Sequence, residues 1–305
     1  MSHYVLYHDD SDGIASALAA KLTPEWKDAT YIAVQYGQPF PERVVLNESA
    51  CILIVDFSYK REILEEVKRK AGAVLVIDHH STAADELMGL CYTVFDEDES
   101  GATLTWKYLH GTEPPLLFQY VGDRDLWRFQ FEQSRWLEHG VQGSGRSRDL
   151  SYWEELYRNK PLFNETLLIG KILHENLRGI CASFVKSKKY RVLDWPSLRG
   201  GIPVKFALFN NTSLISEISE AVYTAEPDIE FVMSYFVNPA NSDFVFSLRS
   251  AKDKEWHLGG FANAYGGGGH RHAAGFTMPL PVAAQFIGRI TGKSVSLSSV
   301  VPCLQ

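Results

Sequence analysis

Acidic side chains recur at one kind of place in this sequence, directly after short apolar runs. YVLY at 4–7 is followed by His8, Asp9, Asp10, Ser11, Asp12 and Gly13; CILIV at 51–55 by Asp56; and AVLVI at 73–77 by Asp78, His79 and His80. A fourth acidic pair, Asp123 and Asp125, comes after Gln119, Tyr120, Val121 and Gly122. If the runs are neighbouring strands of a parallel sheet, about 5 Å apart, these groups converge on the rim where open α/β sheets bind their ligands. Converging carboxylates repel one another unless something positive sits among them. Hard oxygen ligands with one or two imidazoles suit a pair of divalent ions, whether manganese, magnesium or zinc. Such a pair acidifies a bound water and clamps a phosphoryl group for in-line attack, which is the chemistry of phosphoester hydrolysis. Taken singly the residues have blander uses: Asp12 also reads as the cap of a helix starting at Gly13. Asp9 and Asp85 are given no role, and the run Asp96, Glu97, Asp98, Glu99 reads as a solvated acidic run ahead of a helix.

A second cluster runs from Gly266 through Gly267, Gly268 and Gly269 to His270, followed by Arg271, His272 and the apolar AAGFTM. Consecutive glycines let backbone N–H groups approach an anion with no Cβ in the way. A glycine run is also a common flexible loop, but its place between a helix pattern and an apolar segment argues for an ordered turn. Arg249, ending DFVFSLRS, is positioned in sequence to offer a bidentate phosphate contact or to be an exposed strand-end arginine. Trp256, Phe261 and Tyr265 either stack a base or fill the core side of a helix.

The elements that would position these groups are legible. Val- and Ile-rich runs at 4–7, 31–34, 51–55 and 73–77 alternate with helix patterns, the signature of buried parallel strands in a doubly wound α/β fold. Helices are expected over Gly13–Leu22, over Lys60–Ala71 with Gly72 after it, and from a Ser100 cap to about His110 before Gly111. From Tyr152 to about Tyr190 only helix patterns occur, with Pro161 at a helix start. A second domain follows, with strands expected at 204–209, 229–237 and 243–250 and helices at Ser213–Tyr223, Leu258–Tyr265 and Val282–Ile290. The last dozen residues read as a tail without an element.

At 305 residues, 45% hydrophobic and 22% charged, the chain is too apolar for general disorder, and its length suggests two domains. Cys51, Cys91, Cys181 and Cys303 are too scattered for a disulfide framework or a zinc finger, which points to a reduced, cytoplasmic compartment. No stretch reaches the roughly 18 apolar residues of a membrane span, and the N-terminus turns polar too soon for a signal peptide. The net charge of −7 argues against a phosphate-rich partner if taken whole. It is uneven, however: −10 up to residue 180 and +3 beyond.

Together, His8, Asp10, Asp12 and Gly13 as H-x-D-x-D-G, Asp56 after its strand, the triplet Asp78, His79, His80, then Asp123 and the GGGGH segment resemble the DHH phosphoesterase family with its C-terminal DHH-associated domain. The resemblance covers nearly the whole chain. It implies a doubly wound, mainly parallel catalytic domain over 1–150, a helical connector over 151–192, and over 193–305 a smaller α/β substrate-binding domain with a mixed sheet. It also implies two divalent cations, Mn2+ by family habit, held by His8, Asp10, Asp12, Asp56, His79 and Asp123, with Asp56 bridging. Asp125 competes with Asp123 for the last place; the Val-x-Asp approach of Asp123 is closer to the family pattern. Asp78 and His80 would be the catalytic residues, His80 facing the substrate phosphate. Arg249, Gly267, Gly268, Gly269 and His270 would hold the rest of the substrate.

Among family substrates, a compact chain of this kind looks most like the nanoRNases. The implied function is a metal-dependent phosphodiesterase of short oligonucleotides or linear and cyclic dinucleotides, in a protein without a membrane partner and with homodimers common among relatives. Competing readings are a single-strand-specific 5′–3′ exonuclease resembling RecJ, a phosphomonoesterase of nucleoside bisphosphates, a pyrophosphatase and a non-catalytic nucleotide-binding module.

Overall fold

The computed structural model describes residues 1–199 and 202–292. The chain divides into two compact units, with the boundary between Asn176 and Leu177. The expected C-terminal tail and Cys303 lie outside the described residues. No helix among the described residues is long and apolar enough to cross a membrane.

The first unit is built on a parallel sheet of β1 (Ser2–His8), β2 (Thr30–Val34), β3 (Ala50–Val55), β4 (Ala73–Asp78) and β5 (Thr93–Phe95), in the order β2-β1-β3-β4-β5. The register pairs Tyr7 with Val55 and Val55 with Ile77, so three strands end side by side. The residues that follow them are thereby brought to one edge. The helices are α1 (Ser11–Lys21), α2 (Arg61–Lys70), α3 (Ser81–Leu87), α4 (Gly101–His110), α5 (Leu116–Asp125), α6 (Glu132–Gly143) and α7 (Leu150–Arg158), and α8 (Lys160–Lys186) runs on across the boundary into the second unit.

Alternate residues of the strands feed two cores, as the two-residue period of a strand requires. Val5, Tyr7, Leu53, Val55 and Ile77 pack with Ile14 and Leu18 of α1, Trp106 of α4 and Phe118 of α5. Tyr4, Leu6, Ile52, Ile54, Val74 and Val76 face the other way, onto Leu64 and Val67 of α2. Covering both faces is what makes the fold doubly wound, and it explains why the strands read as continuous apolar runs. Ser100 caps α4 through a capping box with Thr103, and Gly111 ends it at φ 64°, both as expected. Tyr152, Trp153 and Leu156 of α7 belong to the first core.

The second unit holds a mixed sheet of β6 (Arg191–Arg199), β7 (Ile202–Asn210), β8 (Phe231–Val237), β9 (Phe244–Arg249), β10 (Gly268–Gly269) and β11 (Ala273–Met278). Its order is β10-β11-β9-β8-β7-β6, parallel between β7 and β8 and antiparallel elsewhere. Helices α9 (Ile215–Ala225), α10 (Leu258–Asn263) and α11 (Leu280–Thr291) cover it. Phe206, Phe231, Phe246 and Phe276 pack with Leu258 of α10 and Phe286 of α11, while Ala207, Phe209 and Val232 pack with Ile218 and Val222 of α9.

Candidate metal centre

Four segments meet at the carboxyl edge of the parallel sheet. Asp10 caps α1, accepting from the Gly13 N–H at 2.9 Å, and its other oxygen lies 2.8 Å from His8 Nδ1 at the end of β1. Asp12, one residue inside α1 and 3% exposed, accepts from the Gly101 N–H at 2.6 Å and the Ala102 N–H at 3.1 Å. The positive end of α4 thus anchors a carboxylate supplied by α1. Asp56 follows β3 with a φ of 54°, a left-handed conformation that a residue with a Cβ rarely adopts, and its N–H is tied to the Ile77 carbonyl at 2.9 Å.

Asp56 is 1% exposed, yet neither of its carboxylate oxygens has a hydrogen-bond partner among the described residues. Buried carboxylates are normally paired or coordinate a metal. One Asp56 oxygen lies 3.2 Å from His79 Nε2 and the other 3.8 Å from His8 Nδ1. His79 Nε2 is also 3.6 Å from Asp125 and 3.7 Å from Asp12. His8, Asp10 and Asp56 form one group able to hold an ion, and Asp12, His79 and Asp125 a second, each with ligand atoms within 4.8 Å of one another. Asp56 borders both, so the donor set fits a pair of divalent cations.

The carboxylates and imidazoles of the pocket shift one another's proton affinity. Burial, with repulsion from Asp56 and Asp125, raises the Asp12 pKa well above the usual carboxylate value. Burial likewise pushes Asp125 up to about 6, with Asp56 and Asp10 adding to it and His79 offsetting part. Burial opposes the charged form of His8, but the Asp10 and Asp56 carboxylates outweigh it and push its pKa up to about 10. The same contest leaves His79 raised by Asp56, Asp125 and Asp12, and Asp56 held low by His79 and His8 in spite of its burial.

Asp78, fully buried, has a different environment. One of its oxygens accepts from the His79 N–H at 2.8 Å and faces His80 Nδ1 at 2.7 Å; the other accepts from Ser58 Oγ at 2.6 Å. Asp78 therefore orients His80 through its Nδ1. These contacts are those of a residue that positions His80. Ser58, which completes that support, had no sequence signal beyond following Asp56 by two.

Asp123, the expected fourth-motif ligand, faces backbone and hydroxyl donors. Its carboxylate accepts from the Gln130 N–H at 2.9 Å, the Phe131 N–H at 3.1 Å and Ser134 Oγ, which pins the start of α6. Asp125, at the end of α5, is the residue of that pair that reaches His79. Both come from a helix and not from a further strand end.

In the second unit the glycine run is an ordered turn. Gly268 and Gly269 pair with Gly275 and Ala274, and a Cβ on Gly267 would stand 2.0 Å from the Gly275 carbonyl oxygen. The His270 N–H closes the turn onto the Ala273 carbonyl at 2.7 Å. Arg249 is in register with Ala273 and donates to Ser216 Oγ at 3.1 Å and to the Leu248 carbonyl at 2.8 Å. Arg249 and the glycine turn thus sit at one edge of the mixed sheet. Trp256, Phe261 and Tyr265 pack against the core, so the stacking role considered for them gives way to the structural one.

Residues 2–123 match the model of the DHH family, N-terminal domain. Uncharacterized protein R106 of Acanthamoeba polyphaga mimivirus is 24% identical over 229 residues, 73% of this chain and 52% of that protein. The chain thus spans about half the length of this curated relative. Among solved structures, a DHH domain described as a member of the s1p family of ribosomal proteins superposes with a TM-score of 0.52 at 13% identity, over 95% of this chain and 87% of that one. The pGpG-specific phosphodiesterase PggH from Vibrio cholerae superposes with a TM-score of 0.49 at 16% identity, over 94% and 96% respectively.

Proposed function

We propose, on the premise that residues 2–123 are an N-terminal domain of the DHH family, that the protein is a metal-dependent phosphodiesterase acting on short oligonucleotides or linear or cyclic dinucleotides. The observation that carries this reading is Asp56, a buried carboxylate with no well-formed hydrogen bond, faced by the imidazoles of His79 and His8 where two ligand groups meet. His8, Asp10 and Asp56 would hold one divalent cation and Asp12, His79 and Asp125 the other, with Mn2+ the expected kind. Bound there, the pair supplies the charge that ionises a water at neutral pH and neutralises phosphoryl oxygens.

The chain's own residues do the rest. The α4 N–H groups hold Asp12, and the Gly13 N–H holds Asp10, so two ligands are fixed before substrate arrives. Burial works against a charged His80, but Asp78 raises its pKa, which favours the imidazolium. Its Nε2–H can then donate a charge-assisted hydrogen bond to a phosphoryl oxygen as negative charge develops. From about residue 193 onward the chain would act as the DHH-associated domain, following the catalytic domain over 1–150 and the connector over 151–192. There Arg249, Gly267, Gly268, Gly269 and His270 would hold the non-scissile part of the substrate.

The test is product analysis with the purified full chain, Mn2+ and labelled linear dinucleotides, a cyclic dinucleotide and a long single strand. Dinucleotides are expected to turn over fastest, chelation to abolish the reaction, and Asp56→Ala to be inactive with an unchanged circular dichroism spectrum. Preference for the long strand would overturn the substrate assignment, and an active Asp56→Ala would overturn the site.

A further inference from the structure

Tyr36 stands out among the aromatic residues of the first unit. Together with Tyr108 on α4 it is one of two aromatic side chains that remain exposed among the described residues, with 51% of its surface in water. Aromatic rings dominate core energetics when buried, so a ring left half in solvent beside a chemical site is informative. It follows β2, whose last residue Val34 is in register with His8. Its ring lies edge-on to His8 at 5.3 Å and to His80 at 5.7 Å, and is tilted against Phe57 at 4.7 Å. It therefore borders both the imidazole assigned to a metal and the imidazole assigned to the phosphate.

The segment carrying the ring is ordered. Gln35 Nε2 donates to Asp9 Oδ2 at 3.2 Å, the Gln35 N–H donates to Gln38 Oε1 at 3.1 Å, and the Asp9 N–H donates to the Val34 carbonyl at 3.1 Å. The bonds to and from Asp9 join the turn after β2 to the ligand-bearing turn after β1, and the Gln35–Gln38 bond closes the former. Phe57, adjoining Asp56, backs the ring from the protein side. A flat, half-exposed, pre-positioned ring next to a phosphate site is suited to a partner with a π-face, and every nucleobase has one.

We propose that Tyr36 is the stacking platform for the nucleobase nearest the scissile phosphate, and that it makes the site selective for nucleoside phosphodiesters over inorganic pyrophosphate or polyphosphate. This rests on the phosphodiesterase reading above and adds to it the substrate feature that the first unit itself recognises.

The test compares wild type, Tyr36→Ala and Tyr36→Phe on a linear dinucleotide and on the same compound with an abasic sugar in place of either nucleoside. Metal content is measured for each protein, as is binding of a non-hydrolysable methylenephosphonate dinucleotide. Tyr36→Ala is expected to raise KM for the dinucleotide by about 5- to 150-fold, the ratio equivalent to ~1–3 kcal/mol of base stacking. Tyr36→Phe, which keeps the ring, is expected to retain the wild-type KM. Removing one of the two bases is expected to weaken the wild type to a similar degree, with no further loss on adding Tyr36→Ala.

A fall in kcat on both substrates at unchanged KM, or a loss of metal in Tyr36→Ala, would overturn the proposal, since the ring would then only support His8 and His80. If wild type cleaves no diester, the hydrolytic reading fails on its own. Tyr36 is then decided by the analogue, whose weaker binding to Tyr36→Ala supports the platform and whose equal binding overturns it.

Discussion

Asp123 and Asp125 stand two positions apart near the end of α5, a spacing that turns their side chains roughly 200° apart around the helix axis. One carboxylate is therefore spent on the start of α6 while the other reaches His79. Sequence alone favoured Asp123 on its Val-x-Asp approach and could not weigh helical phase, since α5 carried no readable periodicity after Pro114 and Pro115. Asp56 and His79 were legible for the opposite reason: in a strand the register follows once the apolar run ends. The two aspartates should respond differently to neutralisation. Asp125→Asn is expected to cut metal affinity at least tenfold and to leave the metal-free fold as stable or more so, since a carboxylate pushed up to about 6 by burial and by Asp56 is removed. Asp123→Asn sets an amide N–H2 against backbone and hydroxyl donors and is expected to cost about 2–3 kcal/mol in stability, with metal affinity changed only a few-fold. Metal titration and denaturant melts of both variants check this, and the reverse pattern would return the ligand to Asp123.

At the scale of elements, the site depends on α4 lying close to the turn after β3. Gly101, the first residue of α4, is where the two touch, and a Cβ there would stand 2.5 Å from Asp56 Cβ and 2.6 Å from Asp56 Oδ1. The same residue donates its N–H to Asp12, so one glycine both anchors one proposed ligand and makes room for the other. Gly101→Ala is expected to lower metal affinity and turnover more than tenfold by displacing Asp56. In an unconstrained helix interior the same change would gain up to about 1 kcal/mol. Metal titration alongside thermal melts separates the two effects, and full metal affinity in this variant would show that Asp56 need not sit where it does. The sequence announced α4 through Ser100 and Gly111, and β1, β3 and β4 through their apolar runs, but not this contact, which spans 45 residues. Strands β6 and β10 were missed for local reasons: RVLDWPSLR carries Asp194 and Pro196 inside an edge strand, and β10 is two glycines with no side-chain pattern.

For the whole molecule, the formal charge of −7 counts every carboxylate as ionised and every histidine as neutral. The metal-free pocket obeys neither assumption. His8, pushed up to about 10, carries its proton at pH 7, and Asp125, pushed up to about 6, is half protonated at pH 6. The acidic first part, net −10 to residue 180, thus offsets part of its own repulsion with bound protons, which the proposed cations would have to displace. The raised pKa of His8 stabilises the metal-free fold fully below about 6.5, the unfolded value, and this is lost as pH rises through about 10. Metal binding must expel the same protons, so apparent affinity for Mn2+ is expected to fall from pH 8 to pH 6, more steeply near 6 where Asp125 takes up its proton. Calorimetric titration in two buffers of different ionisation enthalpy measures the release directly, because the observed heats differ in proportion to the protons expelled. Asp125→Asn is expected to remove the steep part near pH 6 while leaving the release from His8. Heats independent of buffer, together with an affinity that does not change with pH, would show that neither residue is displaced from its proton by the metal. The balance of charge around the substrate would then have to be sought elsewhere than in this pocket.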